Sequence, residues 1–536
     1  TIEEVIAAHP EKNTAWILGR KYNIVTDETL EATLEKYRNY DGLISFDAET
    51  TGLRINFKSR TGEADQLVGV VLSMRPGEGD YFPLQHKRFK NLCGGDHAYF
   101  MERYMRPILE GKRLIGHNIK FDWKVAYIYD INANFVYDTM LAFGVTKRYE
   151  MESFELSLKA LVKNIFGLDM FELSDFVLSA DFSKSGVTFA DLPYELVRRY
   201  APADGDMTLT LFQFIEKEEI LTKYNAHRIF EIEVTFAKAL AYSEFFGYHV
   251  DTEKIPVMRE RIMNAMEQYK AEMFSYAGRE FNPNSSVQLA KIMFDDLGIE
   301  VIGEKRSTNK EVLTTLSRIT DADGNPKYPF VTALKSYRDN EGIHKNFIKK
   351  LHLVSTPDGF IFAEMQQLGT DTGRISVKEP NYQSYNDIVK QYIVPRKGFI
   401  HFDCDFSQIE YRVLASLAKQ ENLMKEFDDP DLDYHTYQAS RMFNIPYSLV
   451  TKSLRSQSKG INFGLPYGMG DESLGFRIFG ARTPENTAKA AALRRKFFEG
   501  QERIEQFFTR VRNEGVQNGF TSTHWGRRRY YHRGVY

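Results

Sequence analysis

The chain has 536 residues, of which 43% are hydrophobic and 27% are charged, and its formal net charge is −3. This composition excludes a disordered chain and predicts a soluble globular protein of roughly two to four domains. It contains no run of 18 apolar residues and no signal-peptide pattern, which predicts an intracellular, cytoplasmic protein without a membrane partner. The two cysteines, Cys93 and Cys404, are too few for a disulfide framework or a zinc cluster.

The sequence pattern changes near residues 220–230. Before this point, strand-like runs such as "LISFDAETTGL" and "LVGVVLSM" alternate with helical stretches, which predicts an α/β domain. After it, long amphipathic stretches such as "HRIFEIEVTFAKALAYSEFF" predict a mostly helical domain. Towards the end, "RRKFFEGQERIEQFFTRVR" and "HWGRRRYYHR" combine arginines with aromatic rings, which suits phosphates and stacked bases. Solvated helix faces are the alternative interpretation.

Two carboxylates share one face of a predicted strand in the first part. Asp47 and Glu49 in "LISFDAETTGL" point the same way, about 6–7 Å apart along the strand. They would repel each other unless a divalent cation lay between them, although a solvated edge strand would also accommodate them. Tyr200 and Asp204, four residues apart, would share a helix face, and Pro202 is expected to start or kink that helix.

Another carboxylate stands at the end of a second alternating run, "FIHFDCDFSQIEYRVLASLA". The alternation predicts a strand with one buried face, followed by a helix that begins in a capping box of Ser407 and Glu410. Asp405 then lies at a strand end and is a candidate metal ligand. A structural turn in which Asp405 only supports the helix cap is the alternative.

A third pattern joins cations and aromatic rings. In "RSQSKGINFGLPYG", four residues recur at intervals of four and would share one helix face: Arg455, Lys459, Phe463 and Tyr467. The cations could bind a triphosphate and a ring could stack on its base, whereas coincidental amphipathic spacing is the alternative. Pro466 is expected to end or kink the helix.

The first set of motifs resembles the DnaQ-like 3′–5′ exonucleases of proofreading DNA polymerases. The resemblance rests on three motifs in order: Asp47-x-Glu49, Asn118-x-x-x-Asp122 and Tyr200-x-x-x-Asp204. It implies that the four carboxylates, those of Asp47, Glu49, Asp122 and Asp204, bind two Mg²⁺ ions, with Mn²⁺ as an alternative, and that Tyr200 orients the attacking water. Asp138 resembles a further acidic position of these domains, but a helix cap explains it equally well.

The later motifs resemble those of family A DNA polymerases. Asp405–Arg412 is similar to motif A and Arg455–Tyr467 to motif B, and "TDTGRISVKEPNYQ", "DYH" and "TSTHWGRRR" are similar to further family stretches. The resemblance implies that Asp405 binds the metals of a second two-metal site. It also implies a deoxynucleoside triphosphate site made of Gln408, Glu410, His435, Arg455, Lys459, Phe463 and Tyr467, with Lys459 protonating the leaving pyrophosphate. The implied contacts to primer–template DNA are Arg374, Asn381, Gln383 and Arg527.

The resemblance implies an α/β ribonuclease H-like exonuclease domain at residues 1–225, followed by a mostly helical right-hand polymerase domain at 226–536. The thumb would cover about 226–360, and the palm and fingers about 361–536. The family also places a second palm aspartate in a His-Asp-Glu motif beyond the template-contacting segment, whereas the sequence has no aspartate after Asp471. We therefore expect the C-terminal part of the palm to be absent from this chain, with a second polypeptide as one source of it.

Three functions follow as hypotheses. The first is a template-directed DNA polymerase with a proofreading 3′–5′ exonuclease, which fits a bacterial, phage or organellar source. The second is a metal-dependent 3′–5′ exonuclease whose polymerase-like body grips DNA and cannot polymerise unless a second polypeptide completes it. The third is a DNA-binding or scaffolding protein with neither activity.

Overall fold

The computed structural model describes residues 15–53, 55, 65–146, 155–176, 186–301, 306–317, 319–321, 323–350, 356, 358–378, 380–479 and 482–531. The chain divides into two compact units. The first comprises Thr1–Asp251, Leu351–Arg396 and Gly519–Tyr536, and the second comprises Thr252–Lys350 and Lys397–Asn518. The domain boundary near residue 225 and the finer thumb, palm and finger limits stay predictions.

The first unit is built around a six-stranded mixed sheet. Its strands are β1 (Lys21–Ile24), β2 (Ile44–Thr50), β3 (Leu67–Ser73), β4 (Glu78–Pro83), β5 (Leu114–Gly116) and β6 (Phe135–Asp138), in the spatial order β1-β4-β3-β2-β5-β6. The pairs β2–β3 and β3–β4 are antiparallel, whereas β1–β4, β2–β5 and β5–β6 are parallel. Strand β2, which carries Asp47 and Glu49, therefore lies inside the sheet and not at its edge.

The α-helices described in the first unit are α1 (Leu30–Arg38), α2 (His97–Phe100), α3 (Arg106–Gly111), α4 (Ile119–Ile128), α5 (Thr139–Thr146), α6 (Leu158–Phe166), α7 (Tyr194–Lys217), α8 (Ile220–Lys223), α9 (His227–Phe246) and, later in the chain, α14 (Asp387–Lys390). Short strands that pair two by two accompany them: β7 (Tyr248–His249), β8 (Phe360–Ile361), β9 (Glu364–Gln366), β10 (Ser376–Lys378), β11 (Phe520–Ser522) and β12 (Arg528–Tyr530).

Both faces of the sheet are covered, which explains the unbroken apolar run of β3. Val70 and Leu72 point into a large core with Phe46 of β2. Val68 and Val71 point to the opposite face, where they join a second core with Val197 of α7. The sequence of β3 is almost continuously hydrophobic because both faces of the strand are buried.

Helix α7 approaches the sheet closely at two glycines. A Cβ on Gly205 would lie 2.7 Å from Val71 Cγ1, and a Cβ on Gly79 of β4 would lie 2.8 Å from both the Cβ and the carbonyl oxygen of Pro202. Atoms in cores do not approach this closely, so larger residues would force the helix away from the sheet. The helix begins at Tyr194 and runs through Pro202, so the expectation that it starts at Pro202 is wrong.

The second unit is helical. Its described α-helices are α10 (Ile255–Ala277), α11 (Ser286–Ala290), α12 (Lys310–Leu316), α13 (Pro329–Ile343), α15 (Ile409–Ala418), α16 (Glu421–Glu426), α17 (Tyr434–Phe443), α18 (Lys452–Gly464), α19 (Asp471–Phe479), α20 (Pro484–Phe498) and α21 (Glu502–Asn518). The π-helical turns Lys291–Asp296 and His344–Ile348 continue α11 and α13. One core lies among α10 to α13 and another among α15, α17, α18, α20 and α21.

The strand predicted before α15 is wrong. Residues 399–406 are irregular, and Phe402 and Phe406 are 76% and 77% exposed. The alternating pattern needs a neighbouring strand to pair with, and no strand of the described residues pairs with this segment. The predicted capping box is also wrong, because α15 begins at Ile409 after Gln408, whose φ is +54°, and no side chain caps it.

Among the described helices, none combines the length and apolar character that crossing a membrane would require.

Replacing Gly205 with alanine should destabilise the first unit. The added Cβ would overlap Val71, and we expect the free energy of unfolding to fall by about 1–3 kcal/mol. A Cβ on Gly111, the last residue of α3, would meet no atom within 4 Å, so Gly111→Ala is the matched control and should leave stability unchanged or slightly raised. Urea unfolding followed by circular dichroism compares the two, and equal stability of both variants would contradict the close-packing argument.

Candidate functional site

Three carboxylates from β2 and α7 meet in the first unit. One oxygen each of Asp47, Glu49 and Asp204 lies within 4.8 Å of the others. Asp47 and Glu49 share a face because strand side chains alternate, and the close packing of α7 at Gly205 brings Asp204 to that face. The structure therefore joins residues that are more than 150 positions apart in sequence.

Two carboxylate oxygens of this acidic cluster lack the hydrogen bonds that buried carboxylates usually have. Glu49 Oε1 and Asp204 Oδ1 are buried and have no hydrogen-bond partner. Asp206, two residues further along α7, shows the opposite case: its carboxylate accepts hydrogen bonds from Arg20, from Tyr22 Oη at 2.6 Å and from the Gly77 N–H at 2.7 Å. Asp206 thus holds the fold together, whereas the cluster has oxygens left for a cation.

Asp122 stands beside the cluster but outside it. It lies in the first turn of α4, and its Oδ1 accepts a hydrogen bond of 3.0 Å from the Ala48 N–H, between Asp47 and Glu49 on β2. Asn118, before α4, has a φ of +65°. The structure therefore brings all four predicted carboxylates to one place and three of them within metal-binding reach of each other.

The carboxylate of Asp138 caps two helices. Its carboxylate accepts the backbone N–H groups of Asn118 and Ile119 at the start of α4, and those of Met140 and Leu141 at the start of α5. The capping interpretation accounts for this residue, because two helix starts share one carboxylate.

Burial and like charge oppose ionisation of the cluster. Burial, followed by the charge of Asp204, raises the pKa of Asp47 to about 7. Burial, followed by the charge of Asp47, raises the pKa of Glu49 well above its ordinary value, and burial raises that of Asp204. A divalent cation that binds among these buried carboxylates stabilises their ionised forms. The donor set, all carboxylate oxygens, suits a hard cation.

Tyr200 is placed one helical turn before Asp204. Its ring packs against Phe189 at a centroid distance of 5.4 Å, and its hydroxyl accepts a hydrogen bond of 3.0 Å from Lys159 Nζ. Burial raises the pKa of Tyr200 well above its ordinary value, so the hydroxyl keeps its proton. Lys159 was not predicted from the sequence, since a lysine in the amphipathic stretch "LKALVKNIF" gives no signal.

His117 links the turn before α4 to the segment before α6. Its Nδ1 lies 2.8 Å from Thr139 Oγ1 and its Nε2 lies 2.8 Å from the carbonyl oxygen of Leu156. Burial lowers the pKa of His117 to about 4, so the ring is neutral near pH 7. The neutral ring ties the Asn118 turn to the chain that leads to Lys159.

In the second unit, α18 carries three of the four residues predicted to share a face. Arg455, Lys459 and Phe463 lie within α18, which ends at Gly464, so the expectation that Pro466 ends the helix is confirmed. Tyr467 falls in the following turn and is 69% exposed. The predicted helical face therefore contains three residues, and Tyr467 lies outside the helix.

Helix α17 brings a further predicted residue to α18. Asp433 caps α17 and forms an ion pair with Arg455, Nε to Oδ2, at 2.5 Å. His435 Nδ1 lies 3.0 Å from Asn462 Nδ2, and its ring centroid is 5.6 Å from that of Phe463. Two cations, a histidine and an aromatic ring thus meet on α17 and α18.

The predicted residues of motif A lie at the start of α15 and in the segment before it. Gln408 Nε2 donates to the Leu432 carbonyl oxygen at 3.2 Å, next to the Asp433 cap, and Glu410 lies in the first turn of α15. Asp405 is exposed in the irregular segment before α15. Within the described ranges, the acidic cluster of the first unit is the only group of three such side chains in metal-binding reach, and Asp405 is not part of it.

The predicted DNA contacts all lie in the first unit. Gln383 Nε2 donates to the Ile375 carbonyl oxygen at 3.1 Å, beside Arg374, and the Asn381 carbonyl oxygen accepts a bond of 2.7 Å from Ser384 Oγ. Arg527 forms an ion pair with Glu233 of α9, and both side chains are largely buried. A Cβ on Gly373 would lie 2.8 Å from Arg527 Nε, so Arg527 packs directly under the loop that carries Arg374.

Comparison with known proteins identifies the family of both regions. The family described as "DNA polymerase family A" matches residues 252–533, more than half of the chain, and the family described as "3'-5' exonuclease" matches residues 22–219. The chain belongs to DNA polymerase family A. The predicted resemblance and the predicted fold class, an α/β exonuclease domain followed by a helical polymerase domain, are confirmed.

Relatives of this chain include DNA polymerase I of Pseudomonas aeruginosa, 29% identical over 95% of the chain and 54% of the relative. DNA polymerase I of Borreliella burgdorferi is 28% identical over 94% of the chain and 54% of the relative. The chain spans about half the length of these curated relatives. A solved structure described as "POL domain of Pol1 from M. smegmatis complex with DNA primer-template and dNTP" has a TM-score of 0.73 and 20% identity, and the match covers 95% of the chain and 81% of that structure.

The neutral state of His117 should make stability depend on pH. The ring binds a proton near pH 6.5 when the chain is unfolded and only near pH 4 when it is folded, so the unfolded state binds more protons in this window. The free energy of unfolding should therefore fall by up to about 3 kcal/mol as the pH is lowered through it. His117→Gln, which keeps a donor for Leu156, should remove this part of the pH dependence in urea unfolding. Parallel pH profiles for the wild type and the variant would contradict the prediction.

Proposed function

We propose that this chain is the part of a DNA polymerase that copies a DNA template and removes 3′-terminal nucleotides by 3′–5′ hydrolysis. The acidic cluster supports the proposal most directly, since Asp47, Glu49 and Asp204 converge with two buried, unpartnered oxygens inside the region that matches the exonuclease family. The bacterial relatives support a cytoplasmic site of action. The match of residues 252–533 to the polymerase family makes a pure exonuclease or an inactive scaffold the less favoured alternatives.

In the exonuclease site, Asp47, Glu49 and Asp204 would hold Mg²⁺ or Mn²⁺, with Asp122 beside them. Bound divalent ions lower the pKa of a water molecule and stabilise the charge that develops on the leaving 3′ oxygen. The chain's own residues supply the rest. The protonated Tyr200 hydroxyl lies one helical turn from Asp204 and can donate a hydrogen bond to the attacking water.

In the polymerase site, the grouping of α17 and α18 supports a role in nucleotide binding. Arg455, Lys459 and His435 would bind the triphosphate of the incoming deoxynucleotide, and Phe463 would stack on its base. Lys459 would donate a proton to the leaving pyrophosphate. Asp405 would bind the metal ions of this site, while Gln408 and Glu410 would shape the pocket so that a 2′-hydroxyl is excluded, and Tyr467 would lie near the template base.

Primer–template DNA is the proposed partner, as it is in the M. smegmatis complex. Arg374, on the loop before β10, and Asn381 and Gln383, at the turn after β10, would contact it. Arg527 is already paired with Glu233, so its contribution would be to support the Arg374 loop as well as to contact DNA. A second polypeptide that completes the palm stays a hypothesis, and the polymerase assays therefore use the protein at its native length.

Removing one cluster carboxylate should abolish hydrolysis. Asp204→Ala should slow the degradation of a 5′-labelled single strand at least about 100-fold in Mg²⁺, and it should weaken Mn²⁺ binding in titration calorimetry. Asp41→Ala is the control, because Asp41 is fully exposed and three residues before β2. Loss of hydrolysis in both variants, or in neither, would contradict the assignment of the site.

Removing the Lys459 charge should weaken nucleotide binding. Lys459→Met should weaken the binding of the next correct dNTP by about 10- to 100-fold, because one charge-assisted contact to phosphate is lost. Fluorescence titration of a dideoxy-terminated primer–template complex measures this binding, in the Asp204→Ala background so that the primer is not degraded. Lys452→Met changes an exposed lysine in the first turn of the same helix and should leave binding unchanged. Equal affinities for both variants would rule out the proposed triphosphate contact.

A further inference from the structure

Lys159 makes an unusual contact beside the acidic cluster. Its Nζ lies 3.0 Å from Tyr200 Oη and 4.6 Å from the centroid of the Tyr200 ring. Its charge also opposes the raised pKa of Asp47, Glu49 and Asp204. Lys159 is therefore close enough to act on both the tyrosine and the carboxylates of one site.

The chemistry of the two groups fixes which one donates in the hydrogen bond between Lys159 and Tyr200. An ammonium group has three donors and no acceptor, so in this hydrogen bond the Tyr200 oxygen must accept. The hydroxyl proton must then point away from Lys159 and towards another acceptor. Without Lys159, the hydroxyl could rotate between donating and accepting positions.

The surrounding structure holds Lys159 in place. Ser157 caps α6, with its Oγ accepting from the Ala160 N–H at 3.4 Å, and Leu161 and Val162 of the same helix are fully buried. Leu156, the residue before Ser157, is held by the hydrogen bond between its carbonyl oxygen and His117. Helix α6 also packs against α7, which carries Tyr200.

Helix stability alone does not explain a lysine at this position. Lys159 is the second residue of α6, in the first turn, where the helix dipole disfavours a positive charge. Lys163, one turn later, has an ordinary structural role, since it forms an ion pair of 2.8 Å with Asp169. Among the described residues, the contact with Tyr200 and the nearby charge of the acidic cluster offset this local cost at Lys159.

We infer that Lys159 is a positioning residue for 3′–5′ hydrolysis, because it fixes the Tyr200 hydroxyl as a hydrogen-bond donor towards the reacting water. This inference rests on the proposed exonuclease function and extends it by one residue. Lys159 acts through Tyr200 and forms no bond with the substrate itself.

A double-mutant cycle tests the inference. The rate of removal of one 3′ nucleotide from a single strand is measured under single-turnover conditions in Mg²⁺. Lys159→Met should lower this rate about 10- to 100-fold while the dissociation constant for the strand, measured in Ca²⁺, changes less than about 2-fold. Lys159→Arg, which keeps the charge and the donor, should restore most of the rate. In a Tyr200→Phe background, Lys159→Met should have no further effect.

A second readout does not depend on activity. With tyrosines labelled with ¹³C at Cζ, the Tyr200 resonance is assigned by its loss in Tyr200→Phe, and it should move in Lys159→Met but not in the control Lys163→Met. If Lys159→Met fails to fold, Lys159→Gln replaces it, since the amide has a similar reach and no charge, and it should still lower the rate.

The outcomes separate the inference from the proposed function. A wild-type protein that does not degrade the strand in Mg²⁺ overturns the proposed function, and the inference with it. If the wild type is active and Lys159→Met removes the nucleotide at the same rate, the inference alone is overturned. A loss in Lys159→Met that persists unchanged in the Tyr200→Phe background also overturns it, because Lys159 would then act by a route other than the tyrosine.

Discussion

Helix α7 reaches the carboxylates of β2 only because no side chain stands at Gly205 or Gly79. A Cβ at either position would come closer than 3 Å to the atoms opposite, so the helix axis would have to move away from the sheet. Asp204 lies one residue before Gly205, and its distance from Asp47 and Glu49 follows directly from this contact. The proposed chemistry of the first unit therefore depends on two residues that carry no functional group.

The same helix shows how a fold can keep a carboxylate oxygen available for a ligand. Asp206 is saturated by hydrogen bonds from Arg20, Tyr22 and Gly77, while Asp204 keeps a buried oxygen without a partner. Saturated bonds at Asp206 stabilise the position of α7, and the unsatisfied oxygen two residues earlier carries a cost that cation binding would remove. Stability and function are thus divided between neighbouring aspartates of one helix.

The sequence predicted the elements whose patterns are local. Strand β2, helix α18 and its end before Pro466 follow from alternation, spacing and proline chemistry. The strand at 399–406 was predicted wrongly, because a pleated pattern becomes a strand only when another strand pairs with it. Lys159 could not be predicted, since its contact with Tyr200 depends on how two helices pack and leaves no periodic signal. The pairing of Arg527 with Glu233 was missed for the same reason.

The Arg527–Glu233 ion pair also bears on the order in which the chain can fold. The two residues are 294 positions apart, and both side chains are largely buried. At about 5–20 residues per second, a ribosome needs roughly 15–60 s to make the chain between them. The sheet and α7 can form during this time, but Glu233 remains without its arginine, and a buried carboxylate without a cation is costly. The first unit is therefore completed only after all residues of the second unit have been made, when the hairpin of β11 and β12 returns to α9.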